Sequence, residues 1–322
     1  MCREATQFAP AWLNRAGIKK RTDLVQMQNR LAKIMKMDAF DWVMLVTLAT
    51  VWGGSFLFNA ILVAELPVIT IVAIRVTVAA LAFWAFARIT GRKIPTSPQA
   101  WGALLILGVL NNAIPFSLIV QGQTQITSGL ASILNATTPL FTILVAGFFL
   151  TDERFSTLRV LGVIVGFSGV ILMVGPEALG GLGTDFWAQL CALGAALSYG
   201  LSSVFGRCFR ELKLDPVMVA TGQVTMSSLV LWPIALWIDG PQDITSISFN
   251  AAASMFGLAV LCTSFAYILY FRILEHAGAT NISLVTFLVP ISAIILGVLV
   301  LGETIFIKEI LGMALIGLGL AI

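Results

Sequence analysis

The sequence predicts an all-α polytopic membrane protein: ten transmembrane helices in two inverted five-helix repeats. Three observations carry this prediction. Apolar spans of membrane-crossing length recur along the chain, the basic residues fall on one side of them, and motif spacings of the first half return in the second. A chain of 322 residues that is 58% hydrophobic and 11% charged has too little charge to cover the surface of a soluble globule.

The spans run approximately 42–63, 68–89, 101–122, 127–150, 157–175, 186–206, 216–238, 251–273, 279–301 and 304–322. Each is about 20 residues, the length that crosses a ~30 Å hydrocarbon core as helix. Short turns separate them, several built from Pro, Gly or acidic residues: Glu65-Leu66-Pro67, Gly175-Pro176-Glu177 and Asp239-Gly240-Pro241. With the N-terminus inside, 17 of the 19 Lys and Arg residues face the inner side. They are the eight before residue 42, then Arg88, Arg92 and Lys93, Arg154 and Arg159, Arg207, Arg210 and Lys213, and Arg272. Lys308 alone lies in an outer loop, and Arg75 lies within the second span. Basic residues resist translocation, so both termini are expected in the cytoplasm.

The net charge of +3 is therefore topological and gives no sign of a nucleic-acid partner. Of the four cysteines, Cys191 and Cys262 sit in apolar spans as small hydrophobes, and no CxxC pair occurs. A single histidine, His276, excludes a multi-histidine metal site, and no GxxxxGK[ST] loop is present. No cofactor and no metal are expected. Residues 1–41 form a basic extension. In it Leu24, Met27, Leu31 and Ile34 recur at helical spacing with Arg30, Lys33 and Lys36 among them. Two readings stand: an interfacial helix on an anionic leaflet, or an upstream extension with the native start at Met35 or Met37.

The internal repeat comes from matching the halves. Val109-Leu110-Asn111-Asn112 corresponds to Val260-Leu261-Cys262-Thr263 at an offset of 151, which also pairs Phe116 with Tyr267, Asn135 with Thr286 and Pro139 with Pro290. Later Glu153 pairs with Glu303 at 150, and earlier Trp52-Gly53-x-Ser55 pairs with Tyr199-Gly200-x-Ser202 at 147. Residues 42–175 and 186–322 are thus expected to be two copies. An odd number of spans per copy sets them upside down relative to each other, an arrangement that lets a site open to alternate sides.

Val51-Trp52-Gly53-Gly54-Ser55-Phe56, followed by Leu66-Pro67 and Arg75, resembles the opening of the EamA domain of the drug/metabolite transporter superfamily. The resemblance covers 42–322 as two such domains, including Pro139 before Asp152-Glu153 and Pro290 before Gly302-Glu303. It implies ten helices with cytoplasmic termini, a central cavity between the repeats, and export of amino acids, metabolites or toxic small molecules. One departure is that some members carry a Lys late in the first span, where this chain has Asn59-Ala60.

Polar residues at depth mark the candidate substrate site. Arg75 lies eight residues below Pro67, roughly 12 Å down and near the midplane. Its burial there costs about 2.5–3.5 kcal/mol. It either draws an anionic substrate group into a wet cavity or is an interior Arg satisfied by carbonyls and amides. Its counterpart at an offset of 148 is Gln223. Asn111, Asn112 and Asn135, with Thr263 and Thr286, are candidate hydrogen-bonding groups, the alternative being interhelical glue at about 0.6 kcal/mol each. Pro115, Pro139 and Pro290 are candidate helix breaks or hinges, since Pro139 leaves the carbonyl of Asn135 without its usual donor. Trp52, Tyr199 and Tyr267 are candidate stacking walls, with Ser55 and Ser202 beside them. Trp42, Trp84, Trp101, Trp187 and Trp237 lie near span ends as belt anchors.

Gly162-x-x-x-Gly166, with Gly312, Gly317 and Gly319, permits close packing at the repeat scaffold or in a homodimer. Asp152, Glu153 and Glu303 precede spans 5 and 10 and suit the dipoles of those helices.

The expected function is secondary transport by alternating access, as an exporter of a small organic metabolite such as an amino acid, in the bacterial inner membrane. An importer or exchanger of organic acids or hydrophobic drug-like amines is the alternative, and a non-transporting structural subunit a further one. A membrane enzyme would want paired acids or a His/Asp cluster, which the sequence lacks. The missing intramembrane carboxylate favours exchange or facilitated diffusion over tight proton coupling.

Overall fold

The computed structural model describes residues 37–150, 156–175, 184–243 and 246–322. The N-terminal helical pattern and the acids Asp152 and Glu153 lie outside these residues. The described residues are helical and contain no strand.

Eight helices are long and apolar enough to cross a membrane: α1 (Ala39–Leu62), α2 (Val68–Ile89), α3 (Pro98–Gly122), α4 (Ser128–Phe149), α5 (Thr157–Val174), α6 (Thr184–Phe205), α7 (Pro216–Ile238) and α8 (Phe249–Gly278). The shorter apolar helix α9 (Val285–Leu301) and α10 (Ile307–Ala321) complete the bundle. Their boundaries follow from local chemistry. The Asp38 carboxylate accepts the Asp41 N–H at 2.8 Å and the Asp41 carboxylate accepts the Asp38 N–H at 3.2 Å. This reciprocal cap starts α1 three residues ahead of the expected 42 and satisfies donors that a helix start leaves open. Asp215 caps α7 by accepting the Val217 N–H at 2.9 Å. Gly278 at φ 82° ends α8, and Gly302 at φ 68° ends α9, a left-handed backbone that glycine adopts without strain.

Four helices are irregular, α9 through a π-helical end at Gly297–Leu301. In α3 the segment Val109–Ala113 is π-helical and directly precedes Ile114-Pro115. In α8 the π-helical stretch is Gly257–Phe265 and contains no proline. There Thr263 Oγ donates to the Leu258 carbonyl at 2.9 Å and Ser264 Oγ to the Ala259 carbonyl at 3.3 Å, each five residues back. Those hydroxyl bonds occupy carbonyls that a widened turn would otherwise leave weakly served. In α4 the α-helical pieces Ser128–Asn135 and Thr138–Phe149 are separated by two residues just before Pro139. The freed carbonyl of Asn135 is taken by Thr138 Oγ at 2.7 Å, and that of Leu134 by Thr137 Oγ at 2.6 Å. The helix is interrupted just before Pro139, and the carbonyl is filled locally. Pro290, by contrast, lies inside continuous helix.

The main packing partners are α1 with α9, α6 with α4, α3 with α6, α8 with α1, α7 with α3, α2 with α8, α2 with α7, α4 with α9, and α5 with α10. Exchanging each helix for the one five places away maps these main pairs onto themselves, while the smaller contact of α1 with α4 has no counterpart of similar extent between α6 and α9. Two large apolar clusters form the core. Leu45, Leu134, Leu140 and Met173 belong to one, and Val72, Val76, Phe83 and Leu258 to the other. Tyr199 and Val51 pack against both.

The glycine seam is internal. A Cβ on Gly169 would stand 2.6 Å from the Gly312 carbonyl oxygen, and one on Gly162 would collide with that of Gly319. The backbones of α5 and α10 therefore touch. Gly166 abuts Leu140 of α4, and Gly317 faces Phe287 at ordinary van der Waals distance. Glu303 differs from expectation: its carboxylate accepts the N–H groups of Ser128 at 2.8 Å and Gly129 at 3.3 Å, so it caps α4 and not the helix that follows it. Glu309 takes the local role, accepting the Phe306 N–H at 3.2 Å.

Candidate functional site

The π-helical stretches of α3 and α8 carry the residues that the repeat comparison paired, and they meet at one polar centre. Arg75, on α2, is 5% exposed, and its Nε donates to Thr263 Oγ on α8 at 3.0 Å. Its guanidinium carbon lies 3.6 Å from the centroid of the Phe116 ring on α3. A cation over a ring face is attracted by the ring quadrupole, more so away from water. Neither contact neutralises the charge, and no carboxylate pairs with Arg75 among the described residues.

Asn111 is the hub of the neighbouring amide network. Its Nδ2 donates to Gln223 Oε1 on α7 at 3.1 Å and to the Tyr267 hydroxyl on α8 at 2.8 Å, and its Oδ1 accepts from Ser202 Oγ on α6 at 2.9 Å. Tyr267 in turn donates to Asn112 Oδ1 at 3.4 Å, and Asn112 Nδ2 donates to Ser227 Oγ on α7 at 3.3 Å. Asn112 is fully buried and Gln223 nearly so. Ser55 on α1 lies beside the Cys262 thiol, next to Thr263. Arg75 with Thr263, and Asn111 with Asn112, Gln223, Tyr267 and Ser202, are thus two neighbouring hydrogen-bonded groups, each built by helices of both halves, with Ser55 at the edge.

Tyr199 lies between the two apolar clusters and near enough to Arg75 and Tyr267 to interact with both electrostatically. The remaining candidates stand apart, Trp52 on α1 packing against Tyr270 with ring centroids 5.8 Å apart. Asn135 Oδ1 is buried without a hydrogen-bond partner. Thr286 is not drawn in: its hydroxyl donates to the Ser283 carbonyl at 2.7 Å, within its own turn. The helix break near it falls at residues 283–284, seven before Pro290, whereas the break in α4 lies immediately before Pro139. An equal sequence offset therefore does not place Thr286 where Asn135 is. Trp84 is not a belt anchor, since its Nε1 donates to Thr225 Oγ on α7 at 3.0 Å.

Phe116, Ser227 and Ser198 are the residues that sequence reasoning missed, Ser198 donating to the Leu110 carbonyl at 2.7 Å. Phe116 had a signal, because it is the repeat mate of Tyr267.

Long apolar helices around a buried arginine and a ring of amides and hydroxyls describe a polytopic integral membrane protein with a polar centre. The family model for the EamA-like transporter family matches residues 41–175 and again 186–322. The chain belongs to that family and is a membrane transporter, and its substrate is accordingly a small molecule. It is similar to the uncharacterized transporter YoaV of Bacillus subtilis, 23% identical over 86% of this chain and 94% of the relative. It is also similar to the uncharacterized inner membrane transporter YedA of Escherichia coli K12, 27% identical over 84% of this chain and 86% of the relative. A solved crystal structure, 17% identical, shares the fold at a TM-score of 0.61 over 88% of this chain and 96% of its own.

Proposed function

We propose that the chain is an alternating-access exporter of a small organic metabolite bearing an acidic group, such as an amino acid. Arg75 orients the anionic group of the cargo, the amides of Asn111, Asn112 and Gln223 with Thr263 hydrogen-bond it, and Tyr267, Tyr199 and Trp52 give aromatic surface. The observation that carries this reading is the buried guanidinium held by a hydroxyl and a ring, with no carboxylate paired to it among the described residues. A purely structural arginine would be expected to meet an acid or several carbonyls.

The chain in this reading has ten spans, residues 42–175 and 186–322 forming inverted copies after the 1–41 extension, with both termini cytoplasmic in a bacterial inner membrane. The main packing pairs, which map onto themselves, support the pseudo-symmetry. Helices α1–α4 rock against α6–α9, with α5 and α10 as scaffold. Import or exchange of organic acids is the second reading, because the same guanidinium would hold them. The closed glycine seam gives no support to dimerisation through α5 and α10.

The test is a metabolite screen on vesicles containing the purified protein, with and without an imposed pH gradient, repeated with Arg75→Ala. Flux of an anionic or zwitterionic compound, lost in an inserted Arg75→Ala variant, is the expected result. Unchanged flux in that variant would overturn the site.

A further inference from the structure

A second buried polar knot lies at the ends of α1 and α3 and the start of α4. Gln123, which follows α3, donates through Nε2 to the Phe56 carbonyl at 2.8 Å and to Ser128 Oγ at 3.3 Å. Its Oε1 is then turned to Asn59 on α1, whose Nδ2 donates to it at 3.0 Å. This chain of bonds fixes which way each amide points. The consequence is that Asn59 Oδ1 faces away from Gln123, buried and without a donor, in a residue that is 1% exposed.

Ser128, fully buried, connects the knot to a negative charge. Its hydroxyl donates to the Phe56 carbonyl at 3.2 Å, while its N–H donates to Glu303 Oε1 at 2.8 Å. The other oxygen of Glu303 accepts the Gly129 N–H, so the carboxylate is held by backbone amides at a helix start. The chain of bonds thus runs from a bare amide oxygen on Asn59, past a Phe56 carbonyl already filled by two side-chain donors, to a carboxylate held by two backbone amides. A buried acceptor with no donor costs free energy, and hard cations are bound by amide and carboxylate oxygens.

We propose that this knot is a binding site for a monovalent cation of the Na+ class, with Asn59 Oδ1 as a direct ligand and Glu303 supplying the balancing charge. Occupancy ties α1, α3 and α4 to the turn before α10, and thus joins the two halves of the chain at one end of the bundle. The site is distinct from the Arg75 cluster and takes a cation, where that cluster takes an anion.

The experiment is thermal unfolding of the purified full-length protein in detergent, in NaCl, LiCl, KCl or N-methylglucamine chloride at equal ionic strength. No cargo is present, so the result is independent of the transport reading. The expected result is a saturable rise in melting temperature with Na+ or Li+ that K+ and N-methylglucamine do not give. Asn59→Leu removes the rise, and Asn59→Asp shifts half-saturation to lower Na+ by about tenfold or more. Should Asn59→Leu fail to fold, Glu303→Gln serves, with half-saturation expected at higher Na+. Equal melting in all four salts would overturn the proposal in favour of a bound water on Asn59. An undiminished Na+ response in both Asn59→Leu and Glu303→Gln would also overturn it.

Discussion

Arg75 Nε donates to Thr263 Oγ across 3.0 Å, and that one bond joins the second helix to the π-helical stretch of the eighth. The two residues belong to different halves of the chain, so the central charge is positioned by both. Arg75→Ala is expected to insert and reach the membrane at normal level while lowering flux by roughly 10- to 100-fold, the range of a charged hydrogen bond worth about 1.5–3 kcal/mol. Arg75→Lys keeps the charge but loses the planar fork and its place over Phe116, and is expected to fall between the two. Vesicle flux normalised to protein content checks both.

Tyr267 reads two amides at once, accepting from Asn111 and donating to Asn112. Tyr267→Phe keeps the ring and its stacking on Phe271, centroids 6.1 Å apart. The loss is confined to the hydroxyl, about 0.5–1.5 kcal/mol, so cargo half-saturation should rise by roughly 2- to 10-fold with the maximal rate little changed. A concentration series on the purified transporter measures it.

The seam between α5 and α10 has no room for a side chain. A Cβ on Gly319 would stand 2.5 Å from the Gly166 nitrogen and 2.8 Å from its Cα. Gly319→Leu should destabilise the protein by about 1–3 kcal/mol or more, seen as a lower melting temperature in detergent. Gly102→Ala, where nothing lies within 4 Å of the added carbon, should leave melting unchanged or raise it.

Glu65, in the turn after α1, accepts the Ser248 hydroxyl at 2.6 Å and the Ser248 N–H at 2.8 Å, which fastens that turn to the start of α8. The hydroxyl bond, then the amide bond, holds the Glu65 carboxyl below the ordinary carboxylate range. A depressed value means the fastening is at full strength above the ordinary pKa and is lost as pH falls through the lower one. Spin labels at Ala64→Cys and Asn250→Cys should therefore report a constant distance from neutral to mildly acidic pH and a broadened one in stronger acid. Glu65→Gln should abolish that pH response.

Much of the polar centre was legible because charge and amides cannot hide in lipid-length spans. Arg75, Asn111, Asn112, Gln223, Tyr267 and Thr263 are conspicuous against Leu, Val and Ala, and the constant offset paired several of them across the halves. The second polar knot escaped notice because Gln123 and Ser128 sit at span ends, where polar residues are ordinary, and Asn59 gains meaning only from the direction in which Gln123 turns it. The π-helical stretch of α8 has no proline to announce it and is visible only in the hydroxyl bonds of Thr263 and Ser264. Thr286 misled because the repeat offset conserves sequence register while the two helix breaks occupy different places within it. Glu303 misled because a dipole argument reads along the chain, and this carboxylate reaches across it.

Where α5 and α10 meet, Gly162 and Gly319 set backbone against backbone, while the Met173 side chain seats on Gly312 and that of Leu315 against Gly169. Two faces keyed together in this way resist sliding past each other. The pair thus has the makings of a stiff keel, which keeps its shape while the remaining helices change theirs.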